Sequence, residues 1–299
     1  MTNKKISNNL KGIILLLTSA LLYSVMPVAI RILGGGGLPP MSQVFLRYIF
    51  AFISACIYFY LISKSKIKIE KKDLLMLAIT TIFGYALTNL FFTYGILFTT
   101  VGNALFLFYT YAIITPILGY IFLRDKINLT NIFSLILSLV ALFLLFQPNS
   151  LPTWKIGGFF AVLSSFGQSA YLIFRKKLNN YPANLMMLAN TFIGVIVLGL
   201  LSLSFEGSFY FQGQITNLSG KVWLTTILFG IDNFLAWFTM TKGFEYFKAT
   251  AGSVILLSEL VFGILFAFLF FSEIPTFASV IGGILIVISS IFVIFKGES

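Results

Sequence analysis

Two carboxylates lie deep in apolar sequence that otherwise avoids charge: Asp232 in FGIDNFLAW and Glu259 in LLSELVFG. Helical rise puts them about 15 and 18 Å from the outer ends of their segments, near the middle of a bilayer. An Asp at that depth costs about 2.5 to 3.5 kcal/mol on insertion scales, so each acid must face a polar interior or a cavity. Two readings follow from burial: a group that binds substrate or exchanges a proton, or an inert acid that fixes helix packing. The chain has no histidine, so proton chemistry within the membrane falls to carboxylates. Arg47, in FLRYIFAF, lies about 8 Å inside its segment, within reach of the interface by snorkelling. It is otherwise placed to pair with Glu259 or Asp232, or with a substrate carboxylate.

Polar and aromatic residues recur at spacings of three or four on other segments: Tyr85, Asn89 and Thr93; Ser164, Gln168 and Tyr171; Asn233 and Trp237. Each set occupies one helix face, as a cavity lining requires, although interhelical hydrogen bonding demands the same pattern. Tyr109 and Tyr111 form a weaker pair of candidates among many aromatics. The candidate binding or coupling residues are thus Glu259, Asp232, Asn233, Trp237, Gln168, Tyr171, Tyr85, Asn89, Tyr111 and Arg47.

The elements that carry these residues are ten apolar stretches: 12–33, 42–62, 74–93, 101–123, 130–147, 156–174, 184–204, 222–241, 249–271 and 277–295. Most reach the roughly 20 residues that cross about 30 Å of hydrocarbon. Sixteen of the 20 basic residues fall at the termini and in every second gap, which the positive-inside rule assigns to the cytoplasm. Both termini are predicted cytoplasmic. The first stretch follows Lys4, Lys5 and Lys11 but is longer than a signal core, and it reads as a retained helix.

Composition narrows the class further. With 59% hydrophobic and 10% charged residues, the 299-residue chain requires lipid as its solvent. Its +11 net charge sits in short loops beside the spans, including KSKIKIEKK at 64–72, and fits anionic headgroups better than nucleic acid. Cys56 stands alone within a span, so no disulfide framework or metal cluster is expected, and no cofactor. Nucleotide loops, HExxH and nucleophile-base pairs are missing from the sequence, which argues against an enzyme.

Five stretches precede 148–155 and five follow, and the halves align weakly but in order. TYGILF (93–98) lies against TKGFEY (241–246), and FLRDKI (122–127) against FFSEIP (270–275), both at a shift of 148; Arg31 meets Arg175 at 144. An odd number of spans per half inverts the second half in the bilayer, an arrangement that places a substrate site at the midplane between the halves. The predicted fold is an all-α membrane protein of ten transmembrane helices in two inverted five-helix repeats, 1–147 and 148–299. Pro27 and Pro116 are expected to kink their spans. The loop 205–221 is expected to rest its aromatics at the headgroups.

With these features in place, the chain resembles the drug/metabolite transporter superfamily, EamA type. SELVFGILFAFLFFSEIPTFASVIGG (258–283) is similar to the closing signature of the second repeat, TPILGYIFLRDKI (115–127) to its first-repeat counterpart with Asp125 at the acid position, and Arg47 to an arginine common in the second span. Tyr23 and Ser24 replace a common Trp-Gly pair, and Tyr111 stands where the second repeat has Glu259. The resemblance implies a multi-pass protein of the cytoplasmic membrane, a monomer or homodimer, that exports or exchanges a small metabolite, amino-acid-like or drug-like. Protons are the candidate coupling ion and alternating access the expected mechanism. A passive channel or facilitator is the alternative.

Overall fold

The computed structural model describes residues 2–63, 68–124, 129–146, 156–271, 274 and 276–296. Asp125, Glu273 and the segment joining the two halves lie outside these residues. What is described is helical, with no strand among the described residues.

We name the long helices α1 (Thr2–Tyr23 with Met26–Gly35), α2 (Pro40–Cys56, continued by a π-helical turn Ile57–Ser63), α3 (Lys71–Phe98), α4 (Val101–Phe108 with Tyr111–Leu123) and α5 (Leu129–Phe146). The second set is α6 (Ile156–Lys177), α7 (Ala183–Phe205), α8 (Gly220–Gly243), α9 (Ala249–Leu256 with Ser258–Phe271) and α10 (Phe277–Lys296). Among the described residues, eight spans are long and apolar enough to cross a bilayer, and Asn131–Phe146 and Phe277–Phe292 are shorter apolar helices. Large apolar side chains such as Leu61, Phe83, Ile121, Phe143, Leu200 and Leu228 point outward, the surface that lipid requires.

The largest packing pairs recur on exchange of each helix with the one five places later. α1 lies on α8 as α6 lies on α3; α4 meets α6 as α9 meets α1; α2 packs on α8 as α7 packs on α3. The pairs α2 with α7, α4 with α9 and α5 with α10 close on themselves. Small residues let these backbones approach, the usual device where lipid removes the hydrophobic drive between helices. A Cβ on Gly167 of α6 would stand 2.1 Å from Thr88 Oγ1 and 2.9 Å from the Phe83 carbonyl oxygen of α3. Hydroxyls join α5 to α10, where Ser138 and Ser289 lie 2.8 Å apart and Ser289 Oγ donates to the Ser134 carbonyl at 2.7 Å.

Three helices are interrupted mid-span, and each break has a local cause. α1 breaks at Ser24 and Val25, so Pro27 falls in the first turn of the second piece, where its missing N–H costs nothing. The expected kink is therefore a break. α4 breaks at Tyr109 and Thr110 and α9 at Leu257; at the 148-residue shift, Tyr109 and Leu257 are equivalent. Hydroxyls take up carbonyls loosened there: Thr110 Oγ1 donates to Leu107 at 2.6 Å, and Ser290 Oγ to Val254 at 3.3 Å. Such substitution is what allows irregular backbone at membrane depth. In α3, the π-helical turn Ile82–Ala86 frees the Phe83 carbonyl, which accepts from Thr88 Oγ1 at 2.9 Å.

Candidate substrate cavity

The breaks in α4 and α9 meet. Tyr109, at the end of the first piece of α4, donates its hydroxyl to Glu259 Oε1, and Glu259 sits in the first turn of the second piece of α9. A helix start favours a carboxylate, because its first N–H groups lack intrahelical partners. Glu259 is 7% exposed and borders a narrow cavity of about 30 Å³, counted as the space open to the centres of water molecules. Around it stand Tyr23 and Met26 of α1, Thr88, Asn89 and Phe92 of α3, Phe108 and Tyr111 of α4, Gln168 of α6, Trp237 of α8 and Leu256 of α9. The lining is aromatic and apolar with a few polar groups, which is the composition of small-molecule sites.

Trp237 is the hub of the aromatic wall. Tyr85, Tyr171 and Tyr23 meet its ring edge to face, with centroids at 4.5, 4.7 and 6.0 Å. These contacts fix the indole plane. Its Nε1 is buried and has no hydrogen-bond partner among the described residues.

Behind the lining is a polar layer. Asn89 Oδ1 accepts from Arg47 Nη2 at 3.2 Å and from Asn233 Nδ2 at 3.3 Å, and Asn89 Nδ2 donates to the Tyr85 carbonyl at 3.0 Å. Tyr85 Oη donates to Asn233 Oδ1 at 3.4 Å. Tyr171 Oη lies 2.7 Å from Thr241 Oγ1 and accepts from Asn190 Nδ2 at 3.1 Å; Asn190 Oδ1 accepts from Thr81 at 2.8 Å. This chain joins α3, α6, α7 and α8 beneath the cavity.

Both ends of the bundle are tied. Where α6 ends and α7 begins, Arg175 pairs with Glu245 at 3.3 Å and donates to the Leu178 and Tyr181 carbonyls, and Glu245 accepts from the Ala183 N–H at 3.2 Å. Tyr181 donates to Asp73 at 2.6 Å, a bond that holds its phenol above the ordinary value. At the opposite end, Glu206 after α7 accepts from the Met41 and Ser42 N–H groups at 3.0 and 2.7 Å and from Ser42 Oγ at 2.7 Å, capping α2. Arg31 Nη2 donates to the Thr99 carbonyl at 2.6 Å on the same end. The loop between α7 and α8 buries Phe209 but leaves Phe211 82% exposed.

Of the ten candidates, Glu259, Trp237, Gln168, Asn89 and Tyr111 line the cavity, and Tyr85, Asn233, Tyr171 and Arg47 support it from behind. Arg47 does not snorkel. It is 1% exposed, its guanidinium carbon sits 4.3 Å from the Phe229 ring centre, and it forms no ion pair among the described residues. Asn89 holds it in place, a partner that charge counting cannot foresee. Asp232 departs further from expectation. It borders a lateral groove between α1 and α8 lined by Val25, Ile32, Thr225 and Phe229, with Oδ2 buried and unpartnered among the described residues. Being adjacent to Asn233, it is turned about 100° away from the inward face. Reading by residue type overlooked Tyr23 and the strength of Tyr109. The 148-residue shift carries a signal for Tyr23, since it aligns that residue with Tyr171.

Comparison with known proteins agrees with this architecture. The profile of the EamA-like transporter family matches residues 10–147 and again 155–295. A protein of Clostridium kluyveri described as an uncharacterized transporter is 27% identical over 292 residues, covering 94% of this chain and 92% of its own. The S-adenosylmethionine uptake transporter of Rickettsia prowazekii is 23% identical over 294 residues, covering 98% and 96%. A solved crystal structure superposes with a TM-score of 0.76 at 16% identity, over 96% of this chain and 97% of the other, a likeness of fold. Two matches to one profile cover nearly all of a helical chain whose helices pack in equivalent pairs around a buried cavity, and the chain belongs to the EamA-like transporter family.

Proposed function

We propose that this protein is a secondary active transporter of the cytoplasmic membrane. Its ten helices form two inverted repeats with cytoplasmic termini, and a small metabolite is exchanged or exported by alternating access to the central cavity. The observation that carries this reading is the meeting of two interrupted helices, at equivalent positions of the two halves, through Tyr109 and Glu259 at the cavity wall. Discontinuous helices at corresponding positions are the structural pointer to a transporter's midplane site. Hydrogen-bonded closures above and below the cavity favour a carrier over an open channel, because a carrier must have states in which one end is shut.

Glu259 serves as the coupling residue: a proton and the substrate occupy its carboxylate in turn. The titratable groups that share its cavity are Tyr23 and Tyr111, with Tyr109 bonded to it, and no Lys or Arg lines the cavity among the described residues. S-Adenosylmethionine is a natural first substrate to assay, given the relative described as its uptake transporter. The test uses proteoliposomes with wild type and Glu259→Gln, scored by counterflow and by accumulation under an imposed pH gradient. Expected are preserved folding and loss of gradient-driven accumulation in the variant, with exchange retained where the substrate is uncharged. Wild-type concentrative transport and pH dependence in Glu259→Gln would refute the assignment.

A further inference from the structure

We infer that the cavity takes an organic cation that carries a hydrogen-bond acceptor at a distance from its charge, an inference that rests on the transporter reading above. Glu259 is the one charged residue lining the cavity among the described residues. Five aromatic side chains share the wall with it: Tyr23, Phe92, Phe108, Tyr111 and Trp237. Ring faces attract cations and gain most where water is excluded, so rings and carboxylate favour the same end of a ligand. An anion would meet the carboxylate with no cationic side chain in the cavity lining, among the described residues, to balance it.

The acceptor follows from Trp237. Trp237 lines the cavity, its indole N–H is buried with no partner among the described residues, and its ring is held by three tyrosines, so the donor is fixed in place beside the cavity. A buried donor of this kind is completed by a ligand oxygen or nitrogen. The neighbouring Asn89 amide is backed by the Arg47 guanidinium, which makes that side of the cavity favourable to an electron-rich group. The site is therefore dipolar: positive charge of the ligand toward Glu259, its acceptor toward Trp237.

Four small probes separate these claims: 1-methylnicotinamide (cation with an acceptor), 1-methylpyridinium (cation without one), nicotinamide (neutral) and nicotinate (anion). Titration calorimetry on the purified chain in nanodiscs is expected to show 1-methylnicotinamide binding about tenfold or more above nicotinamide, with nicotinate weakest. Glu259→Gln should erase the preference for the cation, and Glu259→Asp should keep it. Trp237→Phe, which keeps the ring and removes the N–H, should weaken 1-methylnicotinamide about fivefold and leave 1-methylpyridinium unchanged. Nicotinamide or nicotinate binding as tightly as the cation, with sensitivity to Trp237→Phe, would overturn the ligand class and leave the transporter reading standing. Cation binding that is absent, or indifferent to every Glu259 and Trp237 variant, also overturns the inference; loss of the transporter reading itself would show separately, as absence of counterflow.

Discussion

Glu206→Gln tests whether the tie at the end of α2 and α7 holds the cavity closed on that side. Glu206 accepts three hydrogen bonds, from two α2 backbone N–H groups and Ser42 Oγ, at 2.7 to 3.0 Å. Bonds to an ionised group contribute about 1.5 to 3 kcal/mol and neutral ones about 0.5 to 1.5, and an N-cap contributes about 1. Glutamine keeps one acceptor oxygen, so one bond is lost and the rest become neutral. Glu206 is only half-buried, which places the net loss at the lower end, about 1 to 2 kcal/mol. If the tie forms in one access state alone, that loss shifts the equilibrium about 5- to 30-fold toward the state open at this end. The assay is the modification rate of Met26→Cys, a cavity position, by an impermeant thiol reagent in a Cys56→Ser background. The rate should rise by that factor in Glu206→Gln and by about half as much, on a logarithmic scale, in Ser42→Ala. An unchanged rate in a folded Glu206→Gln protein would refute the reasoning, since the bonds would then be common to both states.

Two further outcomes are expected. Single cysteines at Ser65 and Asn179 should react from the cytoplasm, and those at Ser150 and Ser208 from outside; same-side labelling of Ser150 and Asn179 would overturn the inverted arrangement. Gly167→Ala places a methyl 2.1 Å from Thr88 Oγ1 and 2.9 Å from a backbone carbonyl, an overpacking expected to cost about 1 to 3 kcal/mol, read as reduced thermal stability in detergent, whereas an unchanged midpoint would mean α3 and α6 separate freely.

The helices were legible because lipid demands long apolar runs, and hydropathy reports that directly. The side-chain faces were legible in part. Tyr85, Asn89, Gln168, Tyr171 and Trp237 all come to the cavity or just behind it, as helical spacing implied. Asp232 shows the limit: cost at membrane depth says that an acid needs a polar setting, but it does not say which face provides one. Adjacent Asn233 took the inward face and left Asp232 to the lateral groove. Arg47 shows the complementary limit, because a guanidinium near a span end can reach water or find an amide, and only packing decides. The interruptions in α4 and α9 leave only a shallow mark in hydropathy, since Tyr109 and Thr110 in one, and Ser258 and Glu259 beside Leu257 in the other, are short polar steps inside long apolar runs.

The same shift that aligns the halves also explains why the cavity is chemically one-sided. Positions separated by 148 residues converge in pairs on the cavity or on the layer behind it: Tyr85 with Asn233, Asn89 with Trp237, Tyr23 with Tyr171, and Tyr111 with Glu259. The scaffold is duplicated while the side chains are not. A fully symmetric site would bring two carboxylates together, and like charges at close range in a low dielectric cannot both ionise. Tyrosine at position 111 avoids that conflict, and Tyr109 adds a donor to the acid that remains. One carboxylate facing one polarised wall gives a ligand a single orientation in the cavity. On this argument Tyr111→Glu, which restores the symmetric pair, should let the two acids share a proton and divide the cation-binding role between them. Loss of that sharing, seen as unchanged pH dependence of binding in the variant, would place Tyr111 and Glu259 too far apart to form one site.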